Sequence, residues 1–206
     1  MANNLMDLLQ SQLSDGMIDQ LSQQLGGADK KQTATAASGI MSTLVGALAK
    51  NTATPEGAQA LNGALEKDHD GSILDDVMGF IGGGNAQAQN SRMLNGGGIL
   101  KHLLGERQGG AVSMISKMSG LNQSKTGNLM SMLAPLVMGA LGQQKRQNGL
   151  DTGGMASLLS GSVSQHKQSN PAMNMITSFL DQDGDGSIID DVAGMLGKNI
   201  LGGLFK

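Results

Sequence analysis

The chain has almost no aromatic side chains with which to fill a hydrophobic core. Among its 206 residues there are three phenylalanines, no tryptophan and no tyrosine, whereas glycine occurs 32 times and methionine 15 times. Leu, Ile, Met and Ala must therefore build the core, and such a core suits helices whose backbones approach closely over glycine and alanine. The cost is lower helix stability, because each interior glycine weakens a helix by about 1 kcal/mol relative to alanine.

Apolar residues follow a helical period along most of the chain. They recur at spacings of three and four in residues 37–48 and again in residues 129–141, which is the pattern of one buried helical face. Pro135 interrupts the second stripe and is expected to kink that helix. Thr54 followed by Pro55 is typical of an N-cap before the first helical turn. Because no long stretch alternates apolar and polar residues, the sequence predicts an all-α fold.

Two segments of the chain repeat one another. The stretch "LEKDHDGSILDDVMGFIG" at 65–82 and the stretch "LDQDGDGSIIDDVAGMLG" at 180–197 are identical at 11 of 18 positions. Upstream, "STLVGAL" at 42–48 matches "PLVMGAL" at 135–141 with an offset of 93 residues. We therefore predict an internally duplicated multi-helix bundle with two Asp-rich loops.

The domain boundaries follow from the repeat and from a glycine-rich junction. Residues 1–84 form the first predicted repeat, residues 85–98 a connector, and residues 99–206 the second repeat. The polar, glycine-rich composition of the junction favours a flexible connector, and an ordered loop within one domain is the alternative. Whether the repeats form one domain or two stays open at this point.

Acidic residues are concentrated in the two repeated segments. Ten of the 17 acids lie there, and the second segment holds five carboxylates in eleven residues. Carboxylates at alternate positions of a tight loop can point inward at a hard cation such as Ca²⁺, which takes six to eight oxygen ligands. The predicted metal ligands of the second segment are Asp181, Asp183, Asp185, Ser187, Asp190 and Asp191. The corresponding candidates in the first segment are Glu66, Asp68, Asp70, Ser72, Asp75 and Asp76.

The second segment resembles the EF-hand and the related dockerin-type calcium loop. Its alternating acids are followed by Gly186 at the sharp turn, by the Ser187 carbonyl and by the anchoring Ile188. The twelfth position, where those loops have a bidentate acid, is Val192, so Asp190 or Asp191 would have to close the loop. In the first segment the intervening Lys67 and His69 should weaken binding.

A turn without metal is the alternative interpretation of both segments. Ser72 and Ser187 suit N-cap positions, and the acids that follow them favour the positive end of a helix. Capping does not explain why three further carboxylates crowd into five residues, because like charges repel at such distances. A bound cation relieves that repulsion, so we predict Ca²⁺ as the cofactor.

Other chemistry has little support in the sequence. The histidines His69, His102 and His166 lack ligand spacing, and we interpret them as surface or cap residues. No nucleophile motif or phosphate loop is recognisable, and the scattered bases with few aromatics argue against nucleic-acid binding. The chain lacks cysteine and any apolar run long enough to span a membrane. Without a secretory signal at its start we expect a cytoplasmic protein, with export by a non-classical route left open.

Four blocks of the sequence carry a resemblance to a known family. They are "GGGILKHLLGERQGGAV" at 96–112, "LMSMLAPLVMGALGQQ" at 129–144, "GLDTGGMASLL" at 149–159 and "FLDQDGDGSIIDDVAGMLG" at 179–197. In this order they resemble the bacterial family known as domain of unknown function 937. The resemblance implies a bacterial, all-helical protein with an Asp-rich ending, and it supplies no catalytic residue.

The sequence thus predicts a non-enzymatic calcium-binding helical protein in which the metal stabilises the Asp-rich loops. The alternative is a self-assembling structural or scaffold protein with no metal requirement, in which glycine-lined helices pack between chains as a homo-oligomer or larger assembly.

Overall fold

The chain folds as a bundle of α-helices. The computed structural model describes residues 5–69, 71–81, 95–169, 176 and 178–180, and within these residues it contains no β-strand. The predicted all-α fold is confirmed. The α-helices are α1 (Leu5–Gln12), α2 (Asp15–Gln24), α3 (Lys30–Asn51), α4 (Pro55–Lys67), α5 (Val77–Ile81), α6 (Gly96–Leu104), α7 (Gln108–Ser119), α8 (Gln123–Asn148) and α9 (Thr152–Ser169). Short 3-10 helices span Ser72–Asp76 and Gly105–Arg107.

Side-chain caps set where several helices begin. The Thr54 hydroxyl accepts a hydrogen bond from the Gly57 N–H at 3.2 Å, and Pro55 holds the first helical position as predicted. Asp29 caps α3 and Asn122 caps α8 through their side-chain oxygens. These caps satisfy N–H groups that the helices themselves leave without partners.

The two long helices α3 and α8 pack against each other at the centre of the bundle. Leu44 and Leu48 of α3 and Leu133 and Leu141 of α8 are fully buried, so both predicted apolar stripes face the core. Helix α8 continues through Pro135 to Asn148, and the proline ring is buried among core residues. The predicted interruption therefore does not end the helix, because burial offsets the backbone hydrogen bond that proline lacks.

The remaining helices surround this pair and join both halves of the chain in one core. Helices α1 and α7 pack against both long helices, whereas α2 and α9 pack against α3. Helix α4 lies against α8 and α9, and α6 lies against α3 and α8. None of the helices in the described ranges is long and apolar enough to cross a lipid bilayer.

The end of the predicted connector is helical. Asn95 caps α6 by accepting a hydrogen bond from the Gly98 N–H at 2.9 Å, and Gly96 and Gly97 lie in the first turn. A Cβ atom at Gly96 would overlap the backbone carbonyl of Ser131 in α8. The glycine here permits close helix packing, which the composition alone did not distinguish from a flexible junction. Residues 85–94 lie outside the described residues.

Candidate functional site

The second predicted metal site lies beyond the last described residue. Its candidates are Asp181, Asp183, Asp185, Ser187, Asp190 and Asp191, and all of them lie outside the described residues. The description reaches Leu180, the residue directly before this segment. What the structure provides is therefore the anchor from which the segment starts.

Leu180 is held firmly on the C-terminal half of α3. Its side chain is 2% exposed, and its Cδ1 atom would lie 2.8 Å from a Cβ placed at Gly46. Its carbonyl oxygen accepts hydrogen bonds from Lys50 Nζ at 2.7 Å and from Arg107 Nη1 at 3.1 Å. A cleft of about 460 Å³ lies beside this contact. Two cationic side chains are thus placed next to the point where the acids begin.

The first acid of the other segment, Glu66, already has partners within the protein. Its carboxylate accepts hydrogen bonds from Lys145 Nζ of α8 at 2.6 Å and from Asn62 Nδ2 of its own helix at 3.0 Å. The hydrogen bond from Lys145, helped by that from Asn62, lowers the pKa of Glu66 below its ordinary value. The predicted ligand therefore takes part in an ion pair between α4 and α8.

The structure also describes Asp68 and Ser72, two further candidates of the first segment. Asp68 is half-buried at the C-cap of α4, where its backbone N–H donates to the Ala64 carbonyl. Ser72 is the exposed first residue of a 3-10 helix, and Gly71 holds the cap position with φ 94°. The interpretation of Ser72 as an N-cap is wrong, because Gly71 holds that position. The chain turns at Gly71 in the left-handed backbone region, which glycine adopts readily because it has no Cβ.

The other members of the first segment are described only in part. The backbones of Asp75 and Asp76 lie in the 3-10 helix, whereas their side chains and all of Asp70 lie outside the description. Within the described part of the chain, no three acidic or histidine side chains are grouped in a way that could hold a metal ion.

A cavity that the sequence did not predict lies between α4 and α6. Its volume is about 240 Å³, and both His69 and His102 line it. His69 is 5% exposed, so its predicted surface location is wrong. It is buried because the turn after α4 folds against α8, where Gly71 lies close to Gln143. His102 is exposed at its edge.

The third histidine belongs to a different part of the bundle. His166 of α9 is half-buried and hydrogen-bonds through Nε2 to the Gln10 side chain at 2.8 Å. Histidine spacing could not reveal the pairing of the other two around one cavity. The sequence feature that could have indicated the cavity is the run of small residues on one face of α4, because small side chains leave space beside a helix.

The family comparison agrees with the resemblance expected from the sequence. A family described as bacterial protein of unknown function (DUF937) matches residues 7–144. The matched region includes the first acidic segment and the cavity, and it ends before the second acidic segment. No curated protein and no solved structure matches the chain. Because the match covers more than half of the 206 residues, the chain belongs to the bacterial DUF937 family of unknown function.

Proposed function

We propose that this chain is a non-enzymatic calcium-binding protein and that its second acidic segment, residues 181–191, holds the metal. The observation that carries the proposal is the alternation of Asp181, Asp183 and Asp185 before a glycine, directly after the anchored Leu180. Carboxylates so close together repel one another unless a counter-ion lies between them. An anchored start reduces the conformational freedom that the segment loses when it closes around an ion.

The first segment takes a structural role in this proposal. Glu66 is engaged by Lys145, so a calcium ion there would have to compete with a lysine for the same carboxylate. Asp68 is half-buried at the C-cap of α4. We therefore assign the stronger calcium affinity to residues 181–191.

We also infer that the bundle arose from a duplicated unit. Supporting this, α2 begins at Asp15 and α7 at Gln108, 93 residues later, and α3 and α8 begin at Lys30 and Gln123 with the same separation. The long helices carry glycines 93 residues apart, and each receives a side chain from the other half. Ile73 packs against Gly139, and Leu180 packs against Gly46. Each unit would thus place its C-terminal segment on the central helix of the other.

Thermal unfolding with and without calcium tests the metal proposal. At calcium 100-fold above its dissociation constant we expect a gain of about 2.7 kcal/mol relative to a chelator. For a chain of this size that gain raises the melting temperature by roughly 5–10 °C, which far-UV circular dichroism measures. Isothermal titration calorimetry should give one dominant site.

Two variants locate the site. Asp183→Ala combined with Asp185→Ala should abolish the calcium response, whereas Glu66→Ala combined with Asp68→Ala should retain most of it. Identical melting curves of the native chain in calcium and in chelator would contradict the proposal. An equal loss in both double variants would contradict the assignment to residues 181–191.

The self-assembling scaffold remains the alternative function. It was suggested by glycine-lined helices, and several of those glycines contact segments of the same chain in the described structure. Gly46, Gly110 and Gly139 meet Leu180, Phe179 and Ile73, respectively. Light scattering at several protein concentrations tests this alternative, because a monodisperse monomer in calcium and in chelator would contradict it.

A further inference from the structure

The cavity beside His69 and His102 is formed by matching faces of two helices. Helix α4 contributes residues at spacings of three and four, and so does α6, while α3 and α8 supply the floor. The residues of α4 are Gly57, Ala60, Leu61 and Ala64, and those of α6 and its N-cap are Asn95, Gly98, Ile99, His102 and Leu103. The floor and one end consist of Leu48, Asn51, Met138 and His69.

The space exists because α4 presents small side chains where α6 faces it. Three of the four lining residues of α4 are glycine or alanine. Both helices rest on α8, which sets the distance between them. Substituting one of these alanines by a large residue should fill the cavity without disturbing the contacts of α4 with α8.

The lining has a consistent chemistry. Its body is aliphatic, with Leu48, Leu61, Ile99 and Met138, and its polar groups are two imidazoles and the amides of Asn51 and Asn95. The described lining contains no Asp, Glu, Lys or Arg.

Several of these polar groups have fixed orientations. Asn51 Nδ2 donates to the Leu103 carbonyl at 3.2 Å, and Asn95 Oδ1 accepts from Gly98. Each amide is thereby held in place at the cavity wall, and imidazole N–H groups can donate to an acceptor inside. Imidazole donors beside a described lining that contains no carboxylate favour an anionic or acceptor group over a cation.

We propose that this cavity binds small monocarboxylic acids, with the alkyl chain along the aliphatic floor and the carboxylate toward the histidines. About 240 Å³ corresponds to roughly eight water molecules at about 30 Å³ each. That volume accommodates an acid of roughly ten non-hydrogen atoms, such as octanoate. This proposal does not rest on calcium binding by residues 181–191.

Imidazole NMR signals offer a direct test, because the chain has three histidines and His166 lies on a different part of the bundle. Titration with butyrate, hexanoate and octanoate at fixed pH should move the His69 and His102 signals saturably. We expect affinity to rise roughly tenfold for each added pair of methylene groups that becomes buried. The His166 signal should stay constant throughout. Signal assignment uses single His→Gln variants.

Matched variants and ligands complete the experiment. Ala64→Phe, which fills the cavity, should reduce octanoate affinity at least tenfold, whereas Gln59→Phe, on an exposed position of the same helix, should leave it unchanged. Octylamine should bind far more weakly than octanoate. The proposal is overturned if no acid moves the His69 and His102 signals, if octylamine moves them equally, or if both phenylalanine variants bind octanoate like the native chain.

Discussion

The central helices α3 and α8 each carry a glycine against which a distant segment packs, yet the two contacts differ in stiffness. The atom nearest to a Cβ added at Gly139 of α8 is the Cγ2 methyl of Ile73, which is attached directly to a branched Cβ. At Gly46 of α3 it is the terminal Cδ1 methyl of Leu180. Rotation about χ1 is strongly restricted in a β-branched side chain, whereas a leucine Cδ methyl can also move by rotation about χ2. Similar positions can therefore tolerate substitution very differently.

The charges beside these contacts differ as well. Near Gly139, Lys145 pairs with the carboxylate of Glu66, so the positive charge is balanced locally. Near Gly46, Lys50 and Arg107 share a neutral acceptor, the Leu180 carbonyl. The comparison shows that the protein neutralises an acid of its first acidic segment with its own lysine. At the start of the second acidic segment, the protein places two cationic side chains.

The largest expected effect comes from adding a side chain at the stiffer contact. Gly139→Val should lower the free energy of unfolding by about 2–3 kcal/mol, because Ile73 and its 3-10 helix must be displaced. Gly46→Val should lower it by about 1 kcal/mol or less, because Leu180 can change rotamer. Urea unfolding followed by circular dichroism measures both.

Gly127→Val provides the control for this pair of variants. A Cβ at Gly127, in α8 itself, meets open space, so this change should gain a few tenths of a kcal/mol from helix propensity. In an Ile73→Ala background, Gly139→Val should lower the free energy of unfolding much less than it does in the native chain. Equal losses at the two glycines would show that the stiffness of the partner does not matter.

A smaller effect is expected from removing the cations. Lys50→Gln should lower the free energy of unfolding by about 1 kcal/mol, because it removes a charged hydrogen bond at a part-buried carbonyl. Lys145→Gln should lower it by less than Lys50→Gln does, because its partner Glu66 is 58% exposed and solvent screens the pair. Both are measured by urea unfolding in chelator. A larger loss for Lys145→Gln would reverse the proposed ranking of the two contacts.

The smallest effect concerns the pH dependence of the Glu66 ion pair. Its pKa is lowered in the folded state, so its contribution to stability is present above the unfolded value of about 4.3 and is lost as the pH falls through the folded pKa. Glu66→Gln should therefore differ from the native chain at pH 6–7, and the two should converge as the pH falls through the folded pKa of Glu66.

A double-mutant cycle separates this effect from general acid unfolding. In the Lys145→Gln background the Glu66→Gln difference should shrink, since Lys145 is the main cause of the lowered pKa. Adding 0.5 M NaCl should also shrink it by screening an exposed pair. An unchanged difference in both conditions would assign the effect to some other contact of Glu66.

Local sequence was enough to predict the helices. The apolar period of residues 37–48 and 129–141 and the pairing of Thr54 with Pro55 predicted helix faces and a helix start that the structure contains. These features depend on hydrogen bonds and side-chain spacing within one or two turns, and such interactions involve only neighbouring residues. The family membership likewise follows from the order of residues along the chain.

Tertiary structure decided the contacts that define the candidate sites. It buried His69, placed the Gly96 turn against α8, and paired Glu66 with Lys145, which lies 79 residues away in the chain. It also left the cavity between α4 and α6, which no single helix contains. Spacing along one segment carries no information about which distant segment will face it, because that depends on how all the helices together bury their apolar faces.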